Sequence, residues 1–146
     1  MRLNAQTDYA LRLLMQLAVN QDALITISEV AERFRISRNH LMKIAQALGQ
    51  RGFIETVRGR SGGLRLASPP EEISVGAVVR KMEGDFAVVE CLPGGNGQCI
   101  ISSACRLTGI MSEALEAFLQ VLDGYTIGDL CGRNPKLAKI LSMRAA

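Results

Sequence analysis

Apolar residues recur at three- and four-residue steps near the start of the chain, with Ala10, Leu11, Leu14, Leu17 and Ala18 sharing one face. This spacing predicts an amphipathic helix over residues 5–19, with Asp8 in its first turns and Asn20-Gln21-Asp22 ending it. Thr26 and Glu29 have the spacing of a capping box, in which hydroxyl and carboxylate satisfy free amides, and they open a short helix through Val30, Ala31 and Phe34. Arg35-Ile36-Ser37 makes a tight turn. Ser37 then caps a third helix whose Leu41, Ile44, Ala45 and Leu48 form one stripe, closed by Gly49 and Gly52. Two short helices joined in this way have helix-turn-helix spacing.

The period changes after that. Phe53 to Val57 are mostly β-branched or aromatic, Arg58-Gly59-Arg60-Ser61-Gly62-Gly63 supplies turn glycines, and Leu64-Arg65-Leu66 alternates back, which predicts a hairpin, or wing. Ser68-Pro69-Pro70 is a break, and Ser74 caps a helix carrying Val75, Val78, Val79 and Met82. Pro93-Gly94-Gly95-Asn96-Gly97 excludes regular structure and makes its surroundings a loop. Beyond it Leu107, Ile110, Met111, Ala114, Leu115, Phe118, Leu119 and Leu122 form a stripe of about four turns. Thr126-Ile127-Gly128-Asp129 starts one more short helix, and from Asn134 the mixed charge reads as a loosely docked end.

The fold class is therefore mainly α: a winged helix-turn-helix domain with a β-hairpin wing, followed by a cysteine loop and a long dimerisation helix. The expected divisions are a DNA-binding domain over 1–83, with residues 1–19 also touching a dimer partner, a loop over 84–105, the long and short helices over 106–133, and a tail over 134–146. A winged domain of about 80 residues usually closes its own core, so the long stripe is expected to meet a second copy in a homodimer.

Composition narrows the picture. With 146 residues and 48% hydrophobic positions the chain can bury one modest core. No stretch approaches the roughly 18 apolar residues of a membrane span, and the N-terminal residues lead into an amphipathic stretch instead of a signal's apolar run, so no membrane partner and a cytoplasmic location are expected. In that compartment thiols stay reduced, and four cysteines are better metal ligands or redox groups than disulfide partners. No acid–base pair, nucleophile triad or phosphate loop is present, and no enzyme is expected.

The net charge of +3 is unevenly placed. From Arg33 to Arg65 eight basic residues stand against the single acid Glu55, a local +7 that leaves −4 for the rest. On the third helix, Asn39, Lys43 and Gln46 face away from the apolar stripe, flanked by Ser37, Arg38 and His40. Asn and Gln can pair with adenine and Lys or Arg with guanine in a major groove, while Arg58 and Arg60 at a glycine-rich tip suit the adjoining minor groove. His40, the chain's single histidine, is expected to contact phosphate or base. The expected partner is double-stranded operator DNA.

Cys91, Cys99 and Cys105 are separated by seven and five residues, unlike the C-x-x-C knuckles of structural zinc. A glycine-rich loop can wrap three thiolates around a bulky iron–sulfur centre, and Cys105 is expected in a first helical turn after Ser103, where the dipole favours thiolate. A cubane needs a fourth ligand, for which Cys131 and Asp8 both stand as candidates.

Thr7-Asp8-Tyr9-Ala10-Leu11-Arg12, Ile36-Ser37-Arg38-Asn39-His40-Leu41 and Val57-Arg58-Gly59-Arg60-Ser61-Gly62-Gly63-Leu64-Arg65-Leu66, followed by the three cysteines, resemble the family of iron–sulfur winged-helix regulators. Within it the chain is most similar to the nitric-oxide-sensing repressors, over nearly its whole length. That resemblance implies one 4Fe-4S cluster per subunit in preference to 2Fe-2S, held by Cys91, Cys99, Cys105 and Asp8 of the opposite subunit, with nitric oxide as effector and loss of operator binding on damage. A branch of the family that ligates through a histidine just after the third cysteine is a poorer match, because Leu107-Thr108-Gly109 stand there. An iron-responsive branch shares the cysteine spacing and Val57-Arg58-Gly59-Arg60, which keeps iron or redox sensing as the alternative.

Overall fold

The computed structural model describes residues 1–143; the last three residues of the expected tail lie outside the described residues. Along the chain run α1 (Ala5–Val19), α2 (Ile27–Phe34), α3 (Arg38–Gln50), β1 (Ile54–Val57), β2 (Gly63–Leu66), a 3-10 turn (Pro70–Glu72), α4 (Val75–Met82), α5 (Leu107–Asp123), α6 (Ile127–Cys131) and α7 (Pro135–Leu141). The helix starts follow local chemistry. Glu29 N–H donates to the Thr26 hydroxyl at 3.2 Å while the Glu29 carboxylate accepts from Thr26 N–H at 2.7 Å. Ser37 and Ser74 accept from His40 and Ala77 at 3.1 and 3.2 Å, and Thr126 with Asp129 forms a second capping box.

Leu13 and Leu14 of α1 lie wholly inside, in one core with Leu41, Ile44 and Leu48 of α3 and Val78 and Val79 of α4. β1 and β2 pair antiparallel with Ile54 opposite Leu66 and Val57 opposite Gly63. Ile25 adds a bridge to the outer edge of β2, donating to Leu64 at 3.1 Å and accepting from it at 2.8 Å, so the wing's base is fixed from both sides. A side chain at Gly62 would meet the Val57 and Gly59 carbonyls, which is why the wing turn needs glycine there.

Two expectations about the second half change. The stripe on α5 is not reserved for another chain: Leu119 is 4% exposed, and Leu115, Phe118 and Leu122 pack against the same core, as does the fully buried Ile127 of α6. Helix α4 packs against α1 on one side and α5 on the other, so α5 is part of the domain's own core. Arg80 ties this contact with an ion pair to Asp123 at 2.7 Å, and Gly76 lets the Asp123 carboxylate lie against α4. Leu107, Ile110 and Val121 remain on the outside of α5. The tail is not loosely docked either. Leu141 is 4% exposed, and its carbonyl accepts from Gln16 Nε2 at 2.7 Å and Asn20 Nδ2 at 2.9 Å; Met143 N–H donates to Asn20 Oδ1 at 2.9 Å. Among the described residues no helix is long and apolar enough to cross a membrane.

Candidate nucleic-acid interface and cysteine loop

Helix α3 buries Leu41, Ile44, Ala45 and Leu48 and thereby turns Asn39, Lys43 and Gln46 outward. Together with Met42, Thr56 and Arg58 they line a shallow groove between α3 and the wing. The structure therefore brings together most of the side chains expected to read DNA. Ser37 and Arg38 sit exposed at the start of the helix and Arg60 at the wing tip. His40 is half-buried, its ring meeting Tyr9 of α1 edge-on with centroids 5.4 Å apart. One face of His40 is thus committed to the domain.

The basic segment is also sorted. Arg33 donates to the carbonyls of Ile140 and Ser142, holding α7 to α2. Arg51 donates to the Lys81 and Ala47 carbonyls at 2.7 and 3.1 Å, and Arg65 pairs with Glu55 at 2.9 Å. Among the described residues, Arg35, Arg38, Lys43, Arg58 and Arg60 form no ion pair and no side-chain hydrogen bond, which leaves them available to a polyanion.

The loop between α4 and α5 has no helix or strand and is organised by Glu90 and Leu92. Glu90 accepts from Gly97 N–H at 3.1 Å through its carbonyl and from Asn96 N–H at 3.3 Å through its carboxylate, while Leu92 is 6% exposed and anchors the middle. Cys91, Cys99 and Cys105 are all free thiols and half-buried. Cys105 does not enter a first helical turn: α5 begins at Leu107, Arg106 caps it without a side-chain bond, and Ser103 lies in the preceding turn. Cys91 reaches the first turn of α5, its sulfur accepting from the Thr108 hydroxyl at 3.1 Å. Among the described residues no three His, Cys, Asp or Glu side chains converge on one point. The donor set nevertheless suits a soft metal centre in kind, with three unpaired thiols on one polar, glycine-rich loop.

Asp8 is half-buried on α1 and pairs with Arg12, one turn on, at 2.6 Å. Arg12 in turn lies 5.4 Å from the centre of the Tyr9 ring, the same ring that meets His40. The N-terminus of α1 is fixed by Asn4, which caps Thr7 at 2.8 Å, and by Glu83, which accepts from Asn4 N–H and from the Thr7 hydroxyl at 2.6 Å. Glu83 is the last residue before the cysteine loop, so the loop's entry and the Asp8 helix share an anchor. Arg12 could have been read from its i,i+4 spacing to Asp8; nothing local marks Glu83, 76 residues from Thr7. Cys131 lies apart, half-buried behind α1 with its thiol pKa raised by burial.

Residues 3–133 match the model of the Rrf2 family, described as an iron-dependent transcriptional regulator. The chain is 47% identical over 145 residues to the HTH-type transcriptional regulator NsrR of Bacillus subtilis, covering 99% of both chains. The crystal structure of Staphylococcus aureus CymR in its oxidized form superposes with a TM-score of 0.72 at 28% identity, covering 90% of this chain and 96% of that one. IscR of T. potens shares the fold, with a TM-score of 0.73 at 22% identity over 100% of this chain and 93% of that one. A helix-turn-helix, a basic wing, and matches along nearly the whole length place this chain in the Rrf2 family of transcriptional regulators, and it is not an enzyme.

Proposed function

We propose that the chain is a homodimeric repressor that binds operator DNA and senses nitric oxide through one 4Fe-4S cluster per subunit, with Cys91, Cys99, Cys105 and Asp8 of the partner subunit as ligands. The observation that carries this reading is the contact path from Asp8 through Arg12 and Tyr9 to His40, at the start of the recognition helix. The chain's similarity to regulators named NsrR supports it. So do the outward Leu107, Ile110 and Val121 of α5, together with Ile100 and Ile101 beside Cys99, as apolar surface for a second copy.

When bound, such a cluster supplies iron that nitric oxide attacks. The protein's own part is mechanical. Asp8, if engaged as a ligand, would be unavailable to Arg12, and the contacts of Arg12 with Tyr9 and of Tyr9 with His40 would carry that difference to the start of α3. In a dimer this sets whether two α3 helices lie about one DNA turn, roughly 34 to 36 Å, apart. Lys43, Gln46 and Asn39 then meet base edges, and Arg58 and Arg60 meet the flanking groove.

Anaerobic purification, iron and sulfide counting, and nitric oxide titration against operator DNA test the reading. Iron and sulfide in equal amounts, with binding lost on titration, are expected. A colourless, iron-free protein that binds its operator with full affinity overturns it. Sensitivity to iron limitation without response to nitric oxide selects the iron-responsive alternative, which the family model's description as an iron-dependent regulator supports.

A further inference from the structure

Arg35 connects α2 to α3 and is the one non-glycine residue with positive φ among the described residues, at φ 54 and ψ 44. The surrounding backbone imposes this. Ile36 N–H donates to Ala31 C=O at 3.0 Å and Arg35 N–H to Glu32 C=O at 3.3 Å, while Ile36 and Ala31 are both buried. That pair of bonds is the Schellman closure of a helix, whose left-handed position normally takes glycine because a Cβ is strained there. The arginine is therefore held where its backbone is least suited.

The closure accounts for the backbone conformation but not for an arginine side chain at this position. Arg35 is exposed and makes no ion pair or side-chain hydrogen bond among the described residues, whereas Arg33, two residues earlier, holds α7. Strain retained without an internal partner points to an external one. Arg35 stands two residues before Ser37, the cap of α3, and belongs with Arg38, Lys43, Arg58 and Arg60 to the set of internally unpaired cations.

We propose that Arg35 contacts a phosphate of the DNA backbone beside the recognition helix and so positions α3 in the groove. The proposal rests on the DNA interface described above. Three variants, Arg35→Gly, Arg35→Asn and Arg35→Lys, are compared by thermal melting and by fluorescence anisotropy on a mixed-sequence duplex of about 30 base pairs across a salt series.

Arg35→Gly is expected to melt about 1–4 °C higher, because glycine relieves the left-handed strain. Its logarithmic salt slope is expected to become shallower by about 0.9, about eightfold of binding per decade of salt. Arg35→Asn should lose the same slope, and Arg35→Lys should keep both the slope and the parent melting temperature. Parent-like slopes in Arg35→Gly and Arg35→Asn overturn the phosphate contact while leaving the DNA interface standing. An unmodified protein whose duplex binding is absent or insensitive to salt overturns both. A melting temperature in Arg35→Gly at or below the parent value overturns the strain on which the inference is built.

Discussion

The seam between α1 and α7 gives opposite expectations for two adjacent polar side chains. Gln16 is fully buried; its Nε2 donates to Leu141 C=O at 2.7 Å, but its Oε1 has no partner among the described residues. An orphaned buried acceptor costs about 1–3 kcal/mol and one hydrogen bond contributes about 0.5–1.5 kcal/mol. Gln16→Leu removes both at similar volume, and Leu141 C=O still accepts from Asn20 Nδ2 at 2.9 Å. The expected change is between zero and a gain of about 2 kcal/mol. Asn20 is different, because Nδ2 serves both Gln16 C=O and Leu141 C=O while Oδ1 accepts from Met143 N–H. Asn20→Ala loses three bonds together and should cost about 2–4 kcal/mol. At about 2–4 °C per kcal/mol for a chain of this size, the two variants should melt on opposite sides of, or at and well below, the parent. Urea unfolding at one fixed protein concentration gives the free energies, since assembly adds to apparent stability. A Gln16→Leu variant destabilised by more than about 1.5 kcal/mol would refute the assignment of a wasted acceptor.

Two further outcomes follow from the site and the α4–α5 joint. Asp123 is held below the ordinary aspartate value of 3.8 by the hydrogen bond from Arg80. Its contribution is therefore fully present above pH 3.8 and is lost as pH falls further, through the lower folded-state value, so the stability gap between the parent and Asp123→Asn should begin to narrow only below that range; a gap already lost above it would contradict the pairing. Lys43→Ala should flatten the preference among operator base changes, whereas Arg58→Ala should weaken all duplexes alike, as competition binding against single-base operator variants would read. Identical preference profiles for Lys43→Ala and the parent would remove Lys43 from base reading.

What the amino-acid sequence determined by itself is short-range. Thr26, Ser37, Ser74 and Thr126 each cap a helix through a residue three positions on, and the glycines of 59–63 make the wing turn. Such interactions close within one turn of chain, so spacing alone announces them, and the order helix, turn, helix, wing follows. Tertiary structure decided everything that depends on partners far along the chain. Eight basic residues between Arg33 and Arg65 look alike in sequence, yet Arg33 is used 107 positions away on α7 and Arg51 30 positions away on α4. The α5 stripe is divided between the domain's own core and an outer face, because only packing shows how much apolar surface α1 to α4 leave uncovered. The left-handed backbone of Arg35 is likewise invisible in composition, since it arises from how α2 closes onto Ala31 and Glu32 and not from the arginine's own preference.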